Sequence, residues 1–257
     1  MNPSHEPIFK KPYLVVLLIE LALIVFVAGG SAYASIAELT HPLAPFLGFV
    51  PIALFLALYL TIKKRWSAFS FGGAAKLSGR QWLGYAPLLL VLIVLLVANR
   101  GFRPESFSYF AWMLASQLLL VGFAEETLFR GIMLKALLPK GRLFAVAVSS
   151  FFFGVTHALQ ALGGQSLEAT ILQIVYAFIL GGVLAMLASK NGAVWLAVLF
   201  HGLHNFLNFT GREPGTHVYD YLVIAILAAH LVWLIVLERK QRAASSVIPP
   251  VGNEAIA

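Results

Sequence analysis

Between Tyr13 and Leu237 the chain consists largely of apolar runs too long and too continuous for a water-soluble domain. About 20 apolar residues in a helix cross the hydrocarbon of a bilayer, and 60% of the 257 residues are hydrophobic against 11% charged. Backbone groups in hydrocarbon must be paired internally, so each run is a helix or a strand of a closed barrel. The runs do not alternate in polarity, which selects helices. Eight spans are expected: Tyr13–Ser35, Leu43–Ile62, Gln81–Ala98, Phe107–Ala136, Leu143–Leu162, Leu167–Ser189, Ala193–Phe209 and His217–Leu237. The fourth is the longest and is expected to tilt or to begin with a short helix of its own. The predicted fold class is an all-α integral membrane protein, a bundle of about eight transmembrane helices.

Loop charge orients the bundle, because cytoplasmic loops accumulate Lys and Arg. With the N-terminus inside, the inner segments hold Lys10, Lys11, Lys63, Lys64, Arg65, Lys76, Arg80, Lys135, Lys140, Arg142, Lys190, Arg239, Lys240 and Arg242. Arg100, Arg103 and Arg212 fall outside, and Arg130 alone lies deep within a span, Lys135 standing at the inner edge of the fourth. Both termini are therefore expected in the cytoplasm. The net charge of +7 follows from this asymmetry and favours membrane lipids with anionic headgroups as partners. No nucleic-acid motif is present, so nucleic acid is not expected to bind. The absence of cysteine excludes disulfides, thiolate metal sites and a cysteine nucleophile. Lys10 and Lys11, an apolar run and then Ala32-Tyr33-Ala34 resemble a cleavable signal peptide, but the run is long for one and contains Glu20. A retained first span is expected.

No linker or repeat divides the chain, so residues 1–238 are read as one polytopic domain with a motif-bearing core at 107–209, and residues 239–257 as a disordered cytoplasmic tail. Trp66, Phe69, Phe71 and Trp82, interleaved with Lys76 and Arg80, suit a loop lying at the headgroup level.

Within the fourth span stand two adjacent carboxylates and an arginine, Glu125-Glu126-Thr127-Leu128-Phe129-Arg130. Each ionisable group at bilayer depth costs about 2.5–3.5 kcal/mol and marks a functional site by default. Candidate partners are Phe153 to His157 and His201 to Asn205. At 1.5 Å per residue, Glu125 lies roughly 16 Å, His157 roughly 21 Å, His201 roughly 12 Å and Asn205 roughly 18 Å from the cytoplasmic ends of their spans, one mid-membrane layer; Arg130 lies lower, at roughly 9 Å. Glu126 and Arg130 are four apart and are expected to pair on one face. Glu125 is rotated off that pair, and a carboxylate without an ion-pair partner in a dry cavity is suited to take a proton from water. His201 and Asn205 share a face and offer donors to the oxyanion of a tetrahedral intermediate. His157, one turn beyond Phe153, can share or polarise the attacking water. His204 and Asn208 are read as lining the cavity. Glu20, Gln117, Gln160, Gln173 and His230 are further buried polar candidates with no partner visible in sequence. Glu125, His157 and His201 would also make a zinc-type His/His/carboxylate set with an open position, although no HExxH helix supports it.

The ordered set Glu125-Glu126-x-x-x-Arg130 followed by Gly131, then Phe153-x-x-x-His157, then His201-x-x-x-Asn205 resembles the CPBP family, the CAAX-protease and bacteriocin-processing (Abi) intramembrane endopeptidases related to Rce1-type CAAX prenyl proteases. The motifs cover about a third of the chain, and the N-terminal third carries no signature of the family. The resemblance implies an eight-helix bundle in a cell membrane, here expected to be the plasma membrane of a prokaryote. It implies cleavage of a peptide or protein substrate, in some members prenylated, in a cavity open toward the cytoplasm and the lipid. It further implies that the residues matching Glu125 and His157 activate water and that those matching His201 and Asn205 form the oxyanion hole. Both a metallopeptidase using zinc and a metal-free glutamate mechanism fit that family. Two other classes compete: a proton-coupled transporter, disfavoured because no paired broken helices occur in two halves, and a non-catalytic scaffold or immunity protein, disfavoured because the motif set is complete.

Overall fold

The structure, a computed structural model, describes residues 9–73, 76–212 and 218–247. Among these the secondary structure is helical, the exception being one isolated bridge between Phe102 and Gly211. In chain order we label the long helices α1 Pro12–Ile36, α2 Phe49–Ile62, α3 Gly79–Ala98, α4 Phe107–Lys140, α5 Arg142–Ala161, α6 Leu167–Asn191, α7 Val194–Thr210 and α8 Val218–Val247. Each corresponds to one expected span, though His217, the expected start of the last, lies outside the described residues. Six are long and apolar enough to cross a membrane, α2 and α7 being shorter. Leucines on the outer faces, such as Leu17, Leu54, Leu89 and Leu119, are more than half exposed, which suits lipid and not water. The chain is an all-α, multi-pass membrane protein.

Two expectations are corrected. The aromatic rings of the loop between α2 and α3 do not all lie on its outer surface. Phe69 and Phe71 are buried, and Trp66 stacks on Trp195 at 5.7 Å while Phe71 meets Trp195 edge-on at 4.9 Å and Phe123 at 6.1 Å. The backbone follows the rings inward: Val194 N–H donates to Ser70 O and Gly73 N–H to Gly192 O, both at 2.9 Å. Aromatic area is worth more inside the bundle than at an interface that already accepts it, so this segment plugs one end of the bundle. Trp82 alone of the four remains largely exposed.

The second correction concerns residues 239–247, expected in a disordered tail. They continue α8, while residues 248–257 lie outside the described residues. The extension has a local cause. Glu238 is buried and accepts from Arg142 Nη1 with both oxygens at 2.8 Å and from Arg242 Nε at 2.9 Å, with Lys190 Nζ at 3.4 Å. One carboxylate thereby ties α5, α6 and α8 together at the end of the bundle rich in Lys and Arg. Its partners are partly exposed, so screening reduces each contribution. Glu238→Ala is expected to cost about 1–2 kcal/mol through lost charge-assisted hydrogen bonds, read as a drop of several degrees in the melting temperature of the detergent-solubilised protein.

Candidate active site

The site is built where α4 and α7 cross. Gly122 and Gly202 permit the contact: a Cβ at Gly202 would lie 2.9 Å from Gln117 O and 3.0 Å from Leu118 Cα, and one at Gly122 3.1 Å from Val198 O. Backbones can approach this closely only where side chains are absent. The crossing places His201, beside Gly202, against the two glutamates one turn beyond Gly122.

Helix α4 is not regular there. Wide π-helical turns at Ser116–Gly122 and Thr127–Met133 flank the single α turn Phe123–Glu126 that carries both carboxylates. Such bulges disturb the backbone ladder and concentrate at functional sites. Hydroxyl groups bind carbonyls of this stretch: Thr127 Oγ1 donates to Phe123 O at 2.6 Å, and Ser149 Oγ of α5 donates to Phe129 O at 3.1 Å. Nothing in the sequence announces the π turns.

Glu126 is fully buried, and its Oε1 accepts from Arg130 Nη1 at 2.9 Å and from His201 Nδ1 at 2.8 Å. The Glu126–Arg130 pair thus has the expected spacing, and the histidine is an additional partner that spacing does not disclose. The Arg130 guanidinium stacks on the Phe153 ring at 4.0 Å, a cation–π contact in a water-poor setting. Gly181 of α6 leaves room for it: a Cβ there would lie 3.4 Å from Arg130 Nη2 and 3.1 Å from Phe153 Cδ1. Phe153 also packs edge-on against His157 at 4.9 Å and His201 at 5.8 Å, so one ring spaces both imidazoles.

Glu125 is turned the other way. It lines a cavity of about 1190 Å³ together with His157, His201, Asn205 and Gln117, whereas neither Glu126 nor Arg130 reaches that wall. Its Oε2 lies 3.7 Å from His201 Nε2, an ion-pair separation beyond hydrogen-bond reach, and has no hydrogen-bond partner. His157 sits at the junction where α5 tightens into the 3₁₀ turn His157–Gly163. Its Nδ1 is 2.7 Å from Phe153 O. A carbonyl only accepts, so Nδ1 carries the proton and Nε2 keeps a lone pair.

Asn205 belongs to a relay across three helices. Tyr176 of α6 hydrogen-bonds His204 Nε2, and its hydroxyl is the donor if His204 Nδ1–H donates to Asn205 Oδ1, 3.2 Å away. Asn205 Nδ2 in turn donates to Gln117 Oε1 at 3.2 Å. One amide proton of Asn205 is used in this way and the other is left for a ligand. Three residues thus acquire partners that sequence did not show: Gln117 holds Asn205, Gln173 accepts from Gln165 at 2.9 Å, and Glu20 of α1 accepts from Thr156 at 2.9 Å beside His157. Tyr176 was not singled out by sequence, and no local signal marks it. Glu125, His157 and His201 do not converge as a metal set: among the described residues no three His, Asp or Glu side chains could hold an ion together.

Fold and site together define a polytopic helical membrane protein with a carboxylate, two imidazoles and a carboxamide facing one internal cavity. Residues 107–207, from the start of α4 to the last turn of α7, match the family model described as Type II CAAX prenyl endopeptidase Rce1-like. The match covers 101 of the 257 residues, and over that stretch the chain is similar to the Rce1-like CAAX endopeptidases. No curated protein and no solved structure matches it.

Proposed function

We propose that the protein hydrolyses peptide bonds within the membrane by a water molecule activated between Glu125 and His157. The observation that carries this reading is the division of labour between adjacent glutamates: Glu126 is committed through Oε1 to Arg130 and His201, while Glu125 is the one of the two that lines the cavity. Water offers one proton to the Glu125 carboxylate and the other to the lone pair on His157 Nε2, leaving an oxygen lone pair for the substrate carbonyl. Attack forms the C–O bond as the proton passes to Glu125, which then delivers it to the departing amide nitrogen, so one residue serves as base and then as acid.

The oxyanion is held by the remaining amide proton of Asn205 and by Nε2–H of His201. For His201 this requires both ring protons, since Nδ1–H is already held by Glu126. Two carboxylates against one arginine supply the countercharge for that imidazolium. His204, Tyr176 and Gln117 act by aiming Asn205. Tyr176→Phe is expected to lower kcat roughly tenfold through misplacement of the donor, with KM and melting temperature nearly unchanged; an equal loss in both kinetic parameters and stability would mark a merely structural role.

The test is cleavage of a labelled membrane-anchored peptide by purified protein in detergent, with products identified by mass. Cleavage is expected to persist after exhaustive chelation. Loss on chelation and recovery with zinc would replace this mechanism with a metal-centred one.

A further inference from the structure

The cavity reaches one end of the bundle and not the other. Beyond Glu125 its walls include Ser31 and Ser35 near the end of α1, Gln165 just before α6, Asn208 near the end of α7 and Asp220 at the start of α8. All these helix ends lie on the same side, away from the Glu238 cluster. On the opposite side the way is shut by the inserted loop, where Phe69 and Phe71 are buried and Trp66, Phe71, Phe123 and Trp195 interlock. The two ends also differ in charge: the plugged end carries the large majority of the 18 basic residues, and the open end has Arg100, Arg103 and Arg212. An excess of Lys and Arg in short loops marks the cytoplasmic side.

Resting on the endopeptidase reading above, we propose that the enzyme takes its substrate from the extracytoplasmic side, cutting a membrane-anchored chain within a segment that lies on the outer face. The lining chemistry fits an internal segment. Gln160, Gln165, Gln173 and Asn208 present amides that pair with an extended backbone, and among the described lining residues no Lys or Arg is available to receive a free C-terminal carboxylate. This access is opposite to the cytoplasm-facing cavity that the family resemblance implies.

The chain has no cysteine, so single-cysteine variants report sidedness without background. Ser35→Cys samples the cavity end and Lys140→Cys the plugged end; both positions are exposed. In intact bacterial cells expressing each variant, a membrane-impermeant maleimide is expected to label Ser35→Cys at least tenfold faster, and Lys140→Cys only after permeabilisation. The reverse pattern would overturn the proposal while leaving the peptidase reading intact. In proteoliposomes of measured orientation, a membrane-anchored peptide presented outside is expected to be cut by the molecules with Ser35 outward. Cutting only by those with Lys140 outward overturns the sidedness, and no cutting from either face overturns the peptidase reading and the proposal with it.

Discussion

Glu125→Gln is expected to lower kcat by about 10²–10⁴-fold, the range for loss of a positioned general base, while KM and the melting temperature stay close to those of the unaltered protein. Stability is spared because Glu125 is no one's principal counterion: Arg130 is paired through Glu126 at 2.9 Å, and His201 is held by the same residue at 2.8 Å. The glutamine keeps the volume and the hydrogen-bonding tip but cannot take a proton. Glu125→Asp should fall between, since drawing the carboxylate back by about 1 Å can cost up to 10²-fold. Steady-state cleavage of a labelled membrane peptide and thermal unfolding in the same detergent check both halves of the expectation. A large fall in melting temperature would make Glu125 a structural residue.

Glu126→Ala is expected to do the reverse first and the same second. It leaves Arg130, fully buried, with no carboxylate partner, and breaking a buried pair from one side costs about 3–5 kcal/mol. For a chain of this size that is a fall in melting temperature on the order of 10 °C. The Phe153 ring beneath the guanidinium at 4.0 Å recovers part of the loss. Activity should vanish as well, because His201 loses the acceptor that fixes Nδ1–H and so loses the orientation of Nε2. The two effects separate in the double variant Glu126→Leu with Arg130→Met. An apolar pair in place of a buried ion pair is often neutral or stabilising, so the melting temperature should return while cleavage does not. Recovery of cleavage in that double variant would show that Glu126 matters only for folding.

These assignments were legible in the sequence to unequal depths. Helical spans are written in hydropathy, which is a local property, and α1 to α8 stand where the apolar runs are. The Glu126–Arg130 pair was legible because helical periodicity alone brings residues four apart onto one face. His201 against Glu126 and Asn205 against Gln117 were not, since they depend on the α4–α7 crossing at Gly122 and Gly202. The inward packing of the Trp66–Phe71 loop was not legible for a related reason: aromatic and basic residues together suit an interface, and the contacts with Phe123 and Trp195 depend on tertiary structure. Residues 239–247 have the polarity of a tail, yet they are helical where Glu238 gathers Arg142, Lys190 and Arg242.

The most direct test of the shared water is a kinetic double-mutant cycle between Glu125 and His157, measured as single-turnover cleavage by Glu125→Gln, His157→Ala and the combined variant. Groups that act as a unit on one water lose that function once, so the combined variant should be hardly slower than the worse single variant. Rate losses that multiply in full would show that the two side chains act independently and would contradict the account.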